Sequence, residues 1–481
     1  MLWYQPPADA QSLEWPQNVE YDAVGLSVGI PPGSYPARFG AAEDDEPTLY
    51  YPDVLSAVAD TVDDDVIREL SEALSALNMS IARGPAFRGG HEVTLMLGTI
   101  AEGEGEPEAW AALERLREMA APGDGNPAPL SAKTSAAVKE LALRRLYITG
   151  MPAKDGHSAG DRAAVTLLAV PARTDPSRIP GGRRPVVAII DSGVGEHPWL
   201  TAGDDPFWFD ARDHGWTGAP QGLATNETPG DVTPADGTLD THFGHGTFIT
   251  GLIRQLAPDA RVLSIPAMSG SGVLDETVVL DALSWLLDRV RTAHTDPSTF
   301  VDVVNLSFGY YERAAADTRY TRELRRLLGD LGHLGVQVVA SAGNDATTRP
   351  VFPAAFADPH YGAKPEIGLI SVGALNPDGS RAEYSNVDST WPQHWEPGTA
   401  VTSTMPKSDV VPNLVPAAYD PKDLVGGFAR WSGTSFAAGV ASARLARALS
   451  ATAAGHDLLD VSPAAVRARM LRARKSVVGI D

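Results

Sequence analysis

The chain of 481 residues is 43% hydrophobic and 21% charged, a balance typical of globular domains and unlike that of disordered chains. It contains no cysteine, which excludes disulfide scaffolds, thiolate metal sites and cysteine nucleophiles. Its formal net charge of −22 argues against binding to nucleic acid or to an anionic membrane surface.

The N-terminal 50 residues show weak periodicity and are rich in Pro, Gly and acidic residues, which predicts extended or loop structure. They have neither the basic n-region nor the apolar h-region of a secretory signal. The sequence also has no run of about 18 apolar residues, so we expect a cytoplasmic protein that does not span or bind a membrane.

Residues 1–170 are predicted to form a smaller α+β region. Helical spacing of apolar residues, with Pro107 and Ser131 at first-turn and cap positions, predicts helices over 54–77, 107–119 and 131–146. Strand-like patterns cover 92–100 and 163–170. Residues 171–184 hold four arginines, inner prolines and a Gly-Gly pair, which predicts an exposed, mobile linker.

From residue 185 to 481 the pattern changes to alternating strands and helices. The predicted strands are 186–190, 261–265, 301–306, 336–340 and 367–372, and the predicted helices are 245–255, 275–293 and 318–334. Such alternation indicates an α/β domain with a parallel sheet covered on both faces. In these sheets the functional site lies beyond the carboxyl ends of the strands.

Two candidate residues follow or lie within glycine-rich turns at element ends. Asp191 comes directly after the apolar segment 186–190, in DSGVGEHP. His245 lies between two glycines at the start of a predicted helix, where backbone or substrate can approach the imidazole closely. Alone, each also fits a structural role. His242 suggests a metal pair with His245, but no third ligand at a recognisable spacing supports it.

Two further polar residues occupy comparable places. Ser435 follows Gly433 and Thr434 and precedes small residues that open a helix, so we expect it at a helix N-terminus. Asn344 follows a predicted strand, and its side-chain NH₂ group is able to donate to a carbonyl oxygen. A cap serine and a turn asparagine are the ordinary alternatives.

Together, the four residues supply what a serine hydrolase requires. A serine hydroxyl needs a base, a histidine needs a carboxylate that holds its tautomer, and the tetrahedral intermediate needs an oxyanion donor. The chain order Asp, His, Ser is that of subtilisin. The segments DSGV, HGTFITGLI, NLSFG, ASAGND and SGTSFAAG, over about residues 185–475, resemble the signature blocks of the subtilase (subtilisin-like) serine protease family.

The resemblance implies a role for each residue and a fold for the domain. Ser435 would be the nucleophile, His245 the general base and then acid, and Asp191 its orienting carboxylate. Asn344 and the backbone N–H of Ser435 would form the oxyanion hole. Residues 185–481 would form a subtilisin-like three-layer α/β/α domain with a mainly parallel sheet.

The resemblance also implies where a protein or peptide substrate binds. An extended peptide would pair with Ser307, Phe308 and Gly309, with Phe308 shaping a distal apolar subsite. Asp345 would lie at the rim of the primary specificity pocket, where an acid favours a basic substrate residue. The pocket itself would be lined by Ala340, Ser341, Ala342 and Gly343.

Two regions depart from the family pattern. The long polar loop 201–240 is expected near the cleft. Its aspartates suggest calcium but show no ordered ligand spacing, so no metal ligand is assigned. No cofactor is expected to be required. The N-terminal region is longer than the usual pro-domain of the family. Its residues 83–170 fit one, and a regulatory domain that binds a protein partner through residues 1–170 is the alternative.

The sequence therefore predicts a serine endopeptidase, restrained inside the cell by its N-terminal region. A catalytically silent subtilase fold that serves as a binding scaffold is the alternative, although none of the catalytic residues is lost. A different serine hydrolase, such as an esterase or a peptide ligase, is a third hypothesis.

Overall fold

The computed structural model describes most of the chain beyond residue 47. The described residues are 38–40, 48–86, 92–100, 107–121, 130–148, 163–164, 169, 171–179, 183–200, 205–219, 227, 239–270, 272–311, 318–358, 360–361, 368–388, 390–408, 424, 426–452 and 458–479. Most of the first 50 residues, for which extended or loop structure is predicted, lie outside them, although 38–40 and 48–50 form strands as that prediction allows; most of the predicted strand 163–170 also lies outside. Over these ranges, no helix has both the length and the hydropathy needed to cross a bilayer.

The N-terminal part combines antiparallel strands with three helices. Its elements are β1 (Arg38–Gly40), β2 (Thr48–Val58), α1 (Asp64–Leu74), β3 (Met79–Ala86), β4 (Glu92–Thr99), α2 (Ala109–Ala120), α3 (Ala132–Val138) and β5 (Ala142–Ile148). The strands lie in the order β5-β2-β4-β3, and β1 pairs with β2. This is a β-α-β-β-α-β arrangement with an extra helix. Apolar residues of α1, α2 and α3 form one core with this sheet.

Two of the predicted N-terminal helices are wrong in part. The segment 54–77 begins as strand β2 and becomes α-helical only at Asp64, where the Asp63 side chain accepts from the N–H of Val66 at 3.1 Å. In the segment 131–146 the helix ends at Val138, and the chain then enters β5. The pairing of β2 with both β4 and β5 overrides the helical spacing. The helix predicted over 107–119 is confirmed as α2.

The rest of the chain alternates strands and helices as predicted. Its main elements are β6 (Ala163–Ala164), β7 (Val186–Asp191), β8 (Trp208–Asp210), α4 (His245–Leu256), β9 (Arg261–Pro266), β10 (Val273–Asp275), α5 (Glu276–Thr292), β11 (Val303–Leu306), β12 (Tyr310–Tyr311), α6 (Thr318–His333), β13 (Gln337–Ser341), β14 (Val351–Phe352), β15 (Ile370–Leu375), β16 (His394–Pro397), β17 (Val401–Thr404), β18 (Phe428–Trp431), α7 (Thr434–Thr452) and α8 (Pro463–Val477).

A seven-stranded parallel sheet forms the centre of this part, in the order β16-β15-β13-β11-β7-β9-β8. Strand β7 is apolar from Val186 to Ile190 because both of its faces are buried. Ala188 and Ile190 face a core that includes α5 and α6, whereas Val187 and Ile189 face a core that includes α4 and α7. Both faces are therefore covered, as parallel sheets require. The α/β fold class with a three-layer arrangement is confirmed.

The N-terminal sheet continues into the second part of the molecule through one strand pair. Strand β10 pairs antiparallel with β5, with Val273 opposite Ile148 and Asp275 opposite Leu146. Because β10 leads directly into α5, the N-terminal sheet is attached beside the carboxyl ends of the parallel strands, the edge at which a functional site is expected.

The arginines at the end of the predicted linker are buried rather than exposed. Arg183 pairs with Asp302 at 2.7 Å, and Arg184 pairs with Asp205 at 2.7 Å and with Asp259 at 3.0 Å. A charge is retained in an interior only when it is paired, and these three carboxylates supply the pairing. The expectation of a mobile, exposed segment is therefore wrong at residues 183–184.

Candidate active site

The last residue of β7, Asp191, lies against the first residue of α4, His245. Asp191 Oδ1 is 2.8 Å from His245 Nδ1, and Oδ2 is 3.0 Å from the same nitrogen. Both residues are only 2% exposed. A carboxylate only accepts hydrogen bonds, so this contact favours the tautomer that carries its proton on Nδ1 and leaves a lone pair on Nε2.

Glycines on both sides of His245 allow this close contact. Gly244 has a φ of +82°, and a Cβ atom there would lie 2.4 Å from the side chain of Met405. A Cβ atom at Gly246 would lie 2.2 Å from the carbonyl oxygen of Gly193, in the turn that follows β7. The absence of side chains thus lets the start of α4 pack directly on that turn.

Three aromatic rings pack around the imidazole of His245. The centroids of Trp431, Phe436 and His242 lie 5.8, 5.4 and 5.8 Å from its own. Phe436 follows Ser435 in the chain, so this packing brings the start of α7 to the histidine. In the described part of the chain, no group of three His, Cys, Asp or Glu side chains is arranged to hold a metal ion. Most of the loop 201–240, whose aspartates suggested calcium without an assigned ligand, lies outside that part.

Ser435 is the second residue of α7 and is buried. Its Oγ donates to the carbonyl oxygen of Ser307 at 3.2 Å, and Ser307 Oγ donates to the carbonyl oxygen of Ser435 at 3.2 Å. This reciprocal pair joins the loop after β11 to the start of α7. The N–H of Ser435 belongs to the first helical turn, where N–H groups have no acceptor within the helix.

Asn344, which follows β13, is anchored to the same helix start. Its Oδ1 accepts from the N–H of Thr434 and from Thr434 Oγ1, both at 2.9 Å. These two bonds use the oxygen of the amide and orient its NH₂ group. The nitrogen lies 3.7 Å from the position that a Cβ atom would take at Gly433, two residues before Ser435 in the chain.

The predicted substrate strand, Ser307, Phe308 and Gly309, connects β11 to β12 and is buried. The ring of Phe308 is contacted edge-on by Tyr147 of β5, with centroids 5.0 Å apart. Tyr147 packs in the same way on Tyr310, at 5.1 Å. The place predicted for a distal apolar subsite therefore holds a side chain of the N-terminal sheet, which the sequence did not indicate.

The residues predicted to line the specificity pocket form the end of β13 and the turn after it. Ala340 and Ser341 are the last strand residues, and Ala342 and Gly343 follow. Gly343 has a φ of +91°, and a Cβ atom there would lie 2.4 Å from Asn386 Nδ2. This stretch is therefore held closely by a second loop.

Asp345, predicted at the rim of that pocket, is already engaged. Its Oδ2 accepts from the hydroxyl of Tyr311, and its N–H donates to Asn386 Oδ1 at 2.9 Å. Burial and the neighbouring carboxylate raise the pKa of Tyr311, so this hydroxyl keeps its proton as a donor. The guanidinium of Arg349 lies 4.6 Å from the centre of the Tyr311 ring. The preference for a basic substrate residue stays a prediction.

Glu227 is a buried carboxylate of this region that sequence reasoning missed. It lies in the loop 201–240, and it accepts hydrogen bonds from the hydroxyls of Ser192 and Thr247. Ser192 follows Asp191 directly, and Thr247 lies two residues after His245. No local pattern marks Glu227, because a glutamate in a polar loop is ordinarily solvated.

A family model described as "Subtilase family" matches residues 182–479. The chain belongs to the subtilase family. The resemblance found in five short sequence segments is thereby confirmed, over nearly the same residues. The family supports a serine protease, a hydrolase that acts on peptide bonds. A search of curated proteins finds no match to this subtilase.

Solved structures similar to this subtilase include a cold-adapted subtilisin-like serine proteinase, with 18% identity over 65% of this chain and 88% of that one, and a TM-score of 0.38. Fervidolysin from Fervidobacterium pennivorans, a keratinolytic enzyme related to subtilisin, has 15% identity over 88% of this chain and 56% of that one, and a TM-score of 0.44. The protease domain of PatA, solved as a point mutant, has 22% identity over 56% of this chain and 80% of that one, and a TM-score of 0.36.

Proposed function

We propose that this subtilase is a serine endopeptidase in which Asp191, His245 and Ser435 form the catalytic triad. The observation that carries the proposal is the buried contact between Asp191 and His245, at 2.8 Å and 3.0 Å, next to the helix start that holds Ser435. A histidine fixed in this tautomer offers Nε2 as a base, and the carboxylate stabilises the imidazolium that forms.

The chemistry then follows from these groups. Ser435 Oγ bonds to the carbonyl carbon of the substrate while its proton passes to His245 Nε2. The imidazolium donates this proton to the leaving amine as the C–N bond breaks, and water releases the acyl group by the same route. In the structure the hydroxyl donates to the Ser307 carbonyl instead, so attack requires the Ser435 side chain to rotate towards His245.

The oxyanion is held by two donors in the same proposal. The NH₂ group of Asn344 and the backbone N–H of Ser435 face the carbonyl oxygen as it gains negative charge. The bonds from Thr434 to Asn344 Oδ1 support this role, since they fix the amide before substrate arrives. An extended peptide would add as a strand along Ser307, Phe308 and Gly309.

Labelling with a fluorophosphonate, which reacts with activated serine hydroxyls, tests the proposal. We expect wild-type protein to be labelled and the Ser435→Ala variant to remain unlabelled. Peptide binding by a wild type that resists labelling under all conditions would instead favour the scaffold alternative.

We further propose that the N-terminal region restrains this site. It docks by the pairing of β5 with β10, by a buried ion pair between Arg144 and Asp275, and by a hydrogen bond of 3.0 Å from Ser56 Oγ to Glu276 Oε1. Tyr147 at the same time covers Phe308. A substrate that needs this surface must displace the N-terminal sheet, whether that sheet is a cleaved pro-domain or a permanent regulatory domain.

Docking should weaken as the pH rises. Burial at the interface raises the pKa of Glu276 to about 8 from an ordinary 4.5, against the opposing effect of Arg145 and with a contribution from Glu92 and Asp275. The docked state therefore binds a proton that the undocked state releases. The docked state is most stable below about pH 4.5. Above that pH the docking constant falls by about tenfold per pH unit, until the pH passes 8.

Hydrogen exchange of the peptide that contains β10 measures this effect, because β5 is the partner of β10 in its sheet. After correction for intrinsic rates, we expect protection to fall between pH 5 and pH 8 in the wild type and to vary much less in Glu276→Gln. Glu72→Gln, at an exposed position of α1, should follow the wild type. Equal pH dependence in all three proteins would contradict the role of Glu276.

A further inference from the structure

Glu227 occupies a costly position for a carboxylate. It is only 5% exposed, and its φ of +56° lies in the left-handed region that non-glycine residues seldom adopt. Burial raises the pKa of Glu227 to about 7, with Asp191 adding to the rise and His245 opposing it. A buried charge and a strained backbone at one residue call for specific partners.

Its partners form a closed network between the two segments that carry Asp191 and His245. Ser192 Oγ accepts from the N–H of Gly246 at 3.0 Å, and Thr247 Oγ1 accepts from the N–H of Gly195 at 2.7 Å. Each hydroxyl oxygen thus accepts a hydrogen bond from an N–H group of the opposite segment, and each hydroxyl donates a hydrogen bond to Glu227. One carboxylate therefore joins the turn after β7 to the first turn of α4.

The network also affects the acceptor oxygens of Asp191. Ser192 Oγ lies 3.2 Å from Asp191 Oδ1, the oxygen that is 2.8 Å from His245 Nδ1. A hydroxyl has a single proton to donate. As long as the Ser192 hydroxyl donates its hydrogen bond to Glu227, Asp191 Oδ1 remains available as the acceptor for His245. Without Glu227, Ser192 would donate to Asp191 and compete with the histidine.

We propose that Glu227 is a positioning residue of the active site, which sets the geometry and the acceptor strength of Asp191 towards His245 through the hydroxyls of Ser192 and Thr247. It does not touch the reacting atoms. The inference rests on the proposed function in one respect, since its kinetic consequence requires that Asp191 and His245 take part in peptide hydrolysis.

The main test compares Glu227→Gln with the wild type and with Glu196→Gln, a matched change at an exposed position between β7 and α4. We expect Glu227→Gln to lower kcat by about 10-fold to 100-fold with little change in KM, because the reacting groups are displaced while the substrate surface is untouched. Glu227→Ala should lose more, since glutamine still offers one acceptor oxygen. An unchanged kcat in a folded Glu227→Gln protein would overturn the proposal.

The pH profile supplies a readout that a purely structural role would not move. Protonation of Glu227, as the pH falls through about 7, removes one acceptor from the network. The wild type should therefore show a loss of kcat on the acid side that Glu227→Gln lacks. Superimposable acid limbs in the two proteins would count against the proposal.

Coupling to Thr247 provides the second measurement. If Glu227 acts through this hydroxyl, the double variant Glu227→Gln, Thr247→Val should lose little more activity than the worse single variant. Losses that multiply would show independent effects and overturn the network. Should Glu227→Gln fail to fold, Ser192→Ala is also expected to lower kcat, because it removes one hydroxyl donor to Glu227 and the acceptor of the Gly246 N–H that joins the two segments.

The proton resonance of His245 Nδ1 separates this inference from the proposed function, because it needs no turnover. We expect that resonance to shift in Glu227→Gln and to stay in place in Glu196→Gln. A shift without any hydrolysis by the wild type would sustain the positioning role and reject the peptidase. Hydrolysis by the wild type with no shift in Glu227→Gln would support the peptidase and reject the positioning role of Glu227.

Discussion

Ser435→Ala should lower kcat for peptide hydrolysis by on the order of 10⁶, the size of effect measured for loss of the serine in subtilisin. The alanine cannot form the acyl bond, while Asp191 and His245 stay in contact because neither depends on the Ser435 hydroxyl. The measurement is single-turnover cleavage of a quenched fluorescent peptide. Residual hydrolysis of about 10³ to 10⁴ over water is expected from binding and the oxyanion hole.

Ser450→Ala is the matched control for this variant. Ser450 lies on the same helix, α7, and its hydroxyl donates to the carbonyl oxygen of Ala446 at 3.1 Å. Its replacement should leave kcat unchanged. Full hydrolysis by Ser435→Ala, or equal losses in the two variants, would contradict the assignment of Ser435 as the nucleophile.

Replacement of Asn344 should lower kcat by about 10² to 10³, or about 2.7 to 4 kcal/mol in the activation free energy, with little effect on KM. Two variants distinguish the contribution of the Asn344 NH₂ group from that of its amide oxygen. Asn344→Ala loses the NH₂ donor and the bonds from Thr434, whereas Asn344→Asp keeps an oxygen for Thr434 and loses only the donor. Because the aspartate also repels the oxyanion, we expect Asn344→Asp to be at least as slow.

Asn376→Asp, in the turn after β15, is the control for the added charge and should behave as the wild type. If Asn344→Asp were instead faster than Asn344→Ala, the role of Asn344 would be to hold Thr434 rather than to donate to the oxyanion. A rise in KM with unchanged kcat would likewise contradict an interaction made in the transition state.

The α/β fold and the family were predictable because each depends on local patterns. Strand β7 is buried on both faces, so it appears as an uninterrupted apolar run with Asp191 at its end. The glycines beside His245 are needed for close contacts that no side chain tolerates, so they too are visible in the sequence. The roles of Asp191, His245, Asn344 and Ser435 stay predictions until the variants are measured.

The N-terminal helices show where local patterns mislead. Leu55, Val58, Val62 and Val66 follow helical spacing, but the first two belong to β2. Residues of β5 include good helix formers such as Ala142 and Leu143, and yet they pair with β2, and the end of the same strand pairs with β10. Strand pairing between distant segments outweighed a propensity difference of less than about 1 kcal/mol per residue.

The sequence by itself determined the core pattern, the family and the residue types that peptide hydrolysis requires, because periodicity and glycine-rich turns act over a few residues. Only the tertiary structure decided that Tyr147 covers Phe308 and that Glu227 joins the hydroxyls beside Asp191 and His245. Contacts of this kind depend on which distant segments pair at a sheet edge or pack in the same core. They produce no periodic pattern in the sequence, so the sequence alone does not predict them.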